Sequence, residues 1–79
     1  MIMWEFHIYL RSFPQVQAFV RLTSEQSFDV VVGNDHQKIN GKDLMGMSTL
    51  DYSRPLWVKM HCPEEDYLQF KQAAESFLA

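Results

Sequence analysis

Cysteine, positive charge and long apolar runs are all scarce in this chain. Its 79 residues include one cysteine, Cys62. A lone thiol excludes an internal disulfide, offers no metal-ligand spacing and fits a reducing compartment. Lysine and arginine total seven against ten aspartates and glutamates, for a net charge of −3. The bases are scattered, which argues against nucleic acid, where a basic stripe must release counterions, and against an anionic membrane surface. No stretch is long enough to span a bilayer. Residues 1 to 10 alternate where a signal peptide would run continuously apolar, so a cytoplasmic location is expected. Glycine and proline contribute three residues each, and no linker, repeat or low-complexity segment divides the chain. A single domain spanning residues 1–79 is expected, with no cofactor and no metal site.

What the chain does have is apolar residues at regular spacing. Hydrophobic residues make up 47% of it, enough for one core, although a core of this size supplies only about 3–5 kcal/mol. From Met1 to Leu10, Ile2, Trp4, Phe6, Ile8 and Leu10 alternate with Met3, Glu5, His7 and Tyr9, the period-two pattern of a half-buried strand. Ser12 to Gln15 reads as an S-x-x-Q capping box with Pro14 tolerated in the first turn. Val16, Phe19 and Val20, with Leu22 and Thr23, continue it as a helical stripe that the polar run Thr23–Ser27 ends. Phe28–Val32 is a β-branched strand with Phe28, Val30 and Val32 inward. Gly33-Asn34-Asp35 is a turn signal, and His36–Asn40 is the return strand. Leu56–His61 is another strand, with Leu56, Val58 and Met60 inward and Trp57 and His61 outward or at an edge. An outward Trp57 favours self-association, as a homodimer, or a partner. Cys62 and Pro63 open a last helix, with proline in the first helical position and three acids at the positive dipole end. Tyr67, Phe70, Ala74, Phe77 and Leu78 then lay one face on the sheet.

Between the hairpin and the last strand, Asp43 starts a short helix. Its carboxylate is expected to accept from the free N–H groups of the next turn, and its charge meets the positive end of the helix dipole. Leu44, Met45 and Met47 follow, and Gly46 lets another group approach. So short a helix cannot bury Leu44, Met45, Met47 and Leu50 on one face. Some apolar surface is therefore expected to stay exposed beside a fixed charge, as a docking patch, and methionines adapt to partner shapes. The element order is β-α-β-β-α-β-α. This is an α+β, open-faced two-layer sandwich, with a four-stranded antiparallel sheet and helices on one face.

The segment Ile39-Asn40-Gly41-Lys42-Asp43-Leu44-Met45-Gly46-Met47-Ser48-Thr49-Leu50 resembles the regulatory segment of HPr, the small phosphocarrier protein of the bacterial sugar phosphotransferase system. The family pattern there is roughly V-N-x-K-S-I-M-G-V-M-S-L. The element order follows HPr from Ile2 to Leu78, so the resemblance covers nearly the whole chain and implies a single HPr-like domain. In HPr the phosphoryl acceptor is a histidine opening the first helix, in H-[TA]-R-P-A, where helix N–H groups and an arginine cradle the anion. Here Arg11-Ser12-Phe13-Pro14-Gln15 stands in that place. Aligned without gaps from Phe19-Val20, Ser12 falls on the histidine position and Pro14 on the arginine. Aligned on the proline, Arg11 falls on the histidine position. Neither alignment supplies a histidine, and His7, His36 and His61 lie elsewhere in the pattern.

The resemblance therefore implies a regulatory paralogue that binds proteins and has no enzymatic turnover or phosphocarrier activity. Asp43 occupies the position of the serine that a kinase phosphorylates in Gram-positive relatives, whose phosphoprotein then binds a LacI-type transcription regulator. An aspartate there carries a permanent charge where phosphate would add about −1.5 to −2; the competing reading is a plain helix cap. The residues assigned to binding are Asp43, Leu44 and Met45, with Met47 and Ser12 at the rim. The expected partners are phosphotransferase-system or transcription-regulatory proteins. The alternatives are a phosphocarrier using Ser12, or an unrelated small α/β binding module.

Overall fold

Alternation in the first strand holds where a partner strand lies alongside and fails where none does. In the computed structural model, which describes residues 2–79, β1 (Met3–Ile8) buries Phe6 and Ile8 and exposes Met3, Glu5 and His7. Ile2 belongs to the inward row by spacing yet is 66% exposed. The register with the neighbouring strand stops at Met3 opposite His61, so no sheet continues beside it. Met1, also assigned to this strand, lies outside the described residues.

The chain continues through α1 (Phe13–Ser24), β2 (Val30–Gly33), β3 (Lys38–Asn40), α2 (Leu44–Met47), β4 (Leu56–His61), α3 (Glu64–Ala73) and a closing 3-10 turn, Glu75–Phe77. The four strands form one sheet in the order β1-β4-β2-β3, antiparallel throughout. Phe6 pairs with Val58, Val58 with Val32, and Val32 with Ile39. That row, with Ile8, Val30, Leu56 and Met60, is the face the helices cover. The opposite face carries Glu5, Lys59, Val31 and Asn40 in one row, with Lys59 Nζ 3.8 Å from Glu5. The expected order and the one-sided α+β sandwich are what the structure has.

Phe70 closes the two layers. Its ring centroid lies 5.9 Å from that of Phe6, 6.2 Å from Phe19 and 5.9 Å from Phe28, so one side chain of α3 meets β1, α1 and the approach to β2. Tilted and edge-on aromatic pairs at these distances add electrostatic attraction to area burial. Above it Tyr67 stacks on Trp4 at 4.5 Å and 9°, and the Trp4 Nε1–H donates to the Cys62 carbonyl at 2.9 Å.

β1 stops at Ile8, short of Leu10, and β2 runs on through Gly33, expected in the turn; other element boundaries move as well. β2 begins at Val30, because Phe28 is drawn down onto Phe70. β3 begins at Lys38, because His36 and Gln37 donate their N–H groups to Asn34 Oδ1, at 2.8 and 2.9 Å, and so belong to the turn. Pro63 caps α3 from outside instead of filling its first position, though Glu64, Glu65 and Asp66 do occupy the first turn. The last helix stops at Ala73, short of Leu78. After the 3-10 turn the Tyr9 N–H donates to the Phe77 carbonyl at 2.7 Å and the Ala79 N–H to the His7 carbonyl at 3.0 Å. The open edge of β1 thus wins the final residues, satisfying backbone groups that a longer helix would have left bare.

Truncating Phe70 to alanine should cost about 3–5 kcal/mol, comparable to the whole net contribution of so small a core. Leu68, on the same helix but 55% exposed, should tolerate alanine within about 0.5 kcal/mol. Urea unfolding of the two variants tests the contrast, and a Phe70→Ala chain as stable as Leu68→Ala would remove Phe70 from the centre of the core.

Candidate functional site

Two places carry the residues singled out by sequence: the amino end of α1 and the short helix α2. At the first, Ser12 is extended (φ −156°, ψ 161°) and caps α1. Its hydroxyl accepts from the Gln15 N–H at 3.4 Å, and its carbonyl accepts from the N–H groups of Gln15 and Val16, both at 3.1 Å. Gln15 Oε1 accepts from the Arg11 N–H at 2.6 Å. The expected capping box is therefore closed through Arg11 and not through the N–H of Ser12 itself. The Arg11 guanidinium sits 4.6 Å from the centroid of the Tyr9 ring, a cation–π contact. The Tyr9 hydroxyl donates to the Ser53 carbonyl at 3.1 Å, tying this end to the 51–55 loop.

The donors of this first turn decide what it can hold. A helix start binds an anion with its unpaired N–H groups. Pro14 has none, and that of Gln15 is engaged by Ser12, which leaves those of Ser12 and Phe13. The turn contains no histidine, and Arg11 is turned onto Tyr9.

At the second place Asp43 stands at the N-cap position of α2 (φ −99°, ψ 103°), but its carboxylate makes no capping hydrogen bond, against expectation. It leans over Gly46 instead. A Cβ on Gly46 would lie 2.8 Å from Asp43 Oδ2 and 2.7 Å from Ile39 Cγ2, so the close approach that glycine permits is made by this chain's own side chains. Met47, assigned to the rim of the patch, is fully buried, and Leu50 follows it inward at 5% exposure. Met47 is therefore a core residue, since the inner face of a four-residue helix has room for little else. Met45 is 81% exposed and Leu44 36%, beside the exposed Asp43 carboxylate. The patch contracts to Asp43, Leu44 and Met45. Ser12 stands at the other end of α1 from the α2 entry. The α2 entry is bonded to Thr23, roughly 16 Å along α1 from Ser12 at 1.5 Å per residue.

The structure also gathers residues that sequence left apart. A cleft of about 280 Å³ between the hairpin turn and the 51–55 loop is lined by Asn34, Asp35, His36, Asp51, Ser53 and Arg54. No spacing rule links His36 to Arg54; only the turn at the sheet end does. Two carboxylates share the cleft. The Ser53 hydroxyl and N–H donate to Asp51 Oδ1 at 2.7 and 2.9 Å. With the Arg54 charge they hold the Asp51 carboxyl below its ordinary range. His7 and His61 are exposed on their strands, and His36 is exposed in the turn.

Trp57, expected outward, is half-buried by its own chain. Its Nε1–H donates to the Asn34 carbonyl at 3.3 Å, its ring lies on Gly33, and Lys59 Nζ is 4.5 Å from its centroid. Cys62 is 1% exposed; burial, and then the nearby Asp66 carboxylate, push its thiol up. The Tyr52 hydroxyl is shielded and has no partner in the structure, and burial raises its pKa. Among the described residues no helix is long and apolar enough to cross a membrane, and no three acidic, histidine or cysteine side chains are grouped to hold a metal ion.

By sequence the chain matches no protein-family model and no curated protein. By structure it is similar to HPr-C-His from Thermoanaerobacter tengcongensis, at 26% identity and a TM-score of 0.69, covering 96% of this chain and 93% of that one. It is also similar in fold to a phosphocarrier protein HPr from Bacillus anthracis, at 16% identity and a TM-score of 0.64, covering 87% of this chain and 90% of that one. The chain is HPr-like, with the HPr open-faced sandwich as its fold.

Cys62 and Tyr52 are acids whose charged forms the fold disfavours. Their contribution to stability is present below the unfolded pKa values and is lost as pH rises through the raised ones. Stability should therefore fall on the alkaline side, beginning above about pH 8.5, the ordinary thiol value. Cys62→Ala should flatten the first part of that fall. Denaturant melts across this range check it, and parallel curves for the variant and the parent would contradict the role given to the thiol.

Proposed function

We propose that this chain is a regulatory, protein-binding relative of the phosphocarriers, with no enzymatic turnover and no phosphoryl relay of its own. The observation that carries the reading is the make-up of the α1 amino end, where Ser12 is the cap, Pro14 withholds an N–H and no imidazole stands in the turn. In the alignment without gaps, Ser12 and Pro14 replace the family's histidine and arginine, so the nucleophile and its fixed positive charge are lost together. A phosphorylated Ser12 would be a stable ester, unsuited to onward transfer.

Docking falls to Asp43, Leu44 and Met45. Two apolar side chains are held in solvent by a helix whose inner face is already spent on the core. Beside them is a charge that relatives acquire only through a kinase. One aspartate supplies about half of what a phosphate at about −1.5 to −2 would add, permanently. The partners are proteins of the sugar phosphotransferase system or transcription regulators, met by a one-domain protein in the cytoplasm.

Incubation with phosphoenolpyruvate and the general phosphotransferase enzyme, read by intact mass, should leave the chain unmodified. A stoichiometric, acid-labile gain of one phosphoryl group would overturn the reading. An acid-stable gain abolished by Ser12→Ala would do the same in favour of Ser12 as acceptor. In a pull-down from native cytosol, Met45→Ala and Asp43→Ser should each recover less of the partner, by about tenfold for Met45→Ala if it is an anchor. Equal recovery by all three chains would mean that the patch is not the docking surface.

A further inference from the structure

The helix that presents Asp43, Leu44 and Met45 cannot hold itself. α2 has four residues, whereas isolated helices shorter than about 12–15 are marginal in water. Its own bonds run from the Met47 N–H to the Asp43 carbonyl at 2.8 Å and from the Ser48 N–H to the Leu44 carbonyl at 3.0 Å. No side chain caps it. Met47 anchors its downstream end in the core. Its upstream end is held at Gly41, which Thr23 reaches, and at Lys42, whose N–H donates to Asn40 Oδ1 at 2.9 Å.

Thr23 is fully buried on α1. Its hydroxyl lies 2.6 Å from the Gly41 carbonyl and 2.9 Å from the Val20 carbonyl. A hydroxyl has one proton to give. The Val20 carbonyl also takes the Ser24 hydroxyl at 2.7 Å, so the shorter bond to Gly41 is the one that matters. Gly41 is itself wedged against the sheet. Its N–H donates to the Val30 carbonyl at 2.7 Å, and a Cβ there would stand 3.0–3.1 Å from Val30 and Val32 atoms. One residue on, Lys42 Nζ donates to the Gln26 carbonyl just past the end of α1, at 2.8 Å.

We infer that Thr23 is the positioning residue of the α2 docking helix, its buried hydroxyl fixing the Gly41 carbonyl and through it the direction in which Asp43, Leu44 and Met45 face. The inference rests on the reading of α2 as the docking element. Thr23→Val keeps the side chain's shape and removes its proton; the buried Gly41 carbonyl then has no donor, and such a group is costly to leave unpaired. Thr23→Ser keeps the proton.

Amide hydrogen exchange on the full chain provides the test. In Thr23→Val the Met47 and Ser48 amides should exchange about tenfold or more faster than in the parent, relative to the Val58 and Met60 amides in the central strand, because local opening is uncoupled from global unfolding. Thr23→Ser should exchange as the parent does. Unchanged α2 amides in Thr23→Val, acceleration of every amide by one common factor, or failure of Thr23→Ser to restore protection would each overturn the inference. Affinity for the general phosphotransferase enzyme, measured on the same variants, separates the two claims. If α2 loosens without loss of affinity, Thr23 is α2's tether but the docking reading fails. If both change together, both stand.

Discussion

The fold depends on one aromatic ring. Phe70 is the point at which the last helix, the first helix, the first strand and the approach to the second strand meet, and it is 1% exposed. A sheet covered on one face only has a single interior. In this chain that interior is thin enough for one side chain to reach across it. The boundary of β2 follows from the ring, because Phe28 turns toward Phe70 before the strand can begin. So does the seating of α3, whose one buried residue is Phe70, followed inward by Ala74 at its C-cap.

The exposed patch on α2 is the other side of the same economy. Successive helical residues are about 100° apart, so a residue two positions before a buried one points nearly away from the core. Once Met47 is drawn inward, Met45 has to face water, and Leu44, three positions away, ends between the two. The exposed patch therefore needs no separate device to stay open. It needs only a fixed helix, and the bond from Thr23 to Gly41, both buried, lies at the entry to that helix.

Most of the sheet was legible because period two is unambiguous when both neighbours exist. Leu56, Val58 and Met60 are buried as their spacing requires, and β4 spans the residues expected of it. Legibility failed where two periodicities coincide or where a long-range partner decides. Phe77 and Leu78 fit a helical stripe after Phe70 and Ala74, yet Leu78 bridges to Ile8 in strand geometry, a choice made by an edge far away in sequence. Of the candidate site, Asp43, Leu44 and Met45 stand exposed side by side on α2 as the sequence suggested. Met47 does not, because a helix pattern of four residues has too few turns to reveal its inner face. Thr23 falls in the helical stripe and is buried as that spacing requires, but nothing in the stripe marks its hydroxyl as a donor to Gly41. The cleft shared by His36 and Arg54 arises from the meeting of two loops, which no local pattern encodes.

The two tryptophans occupy unlike surroundings, and this has a practical consequence. Trp4 lies flat on Tyr67, where α3 rests on β1. Trp57 lies against Gly33, beneath the Lys59 ammonium and bonded to the hairpin turn. One indole thus reports on the seating of the last helix and the other on the closure of the hairpin. Their fluorescence, separated by replacing either with phenylalanine, distinguishes a chain that opens as a whole from one that loosens first at a single corner.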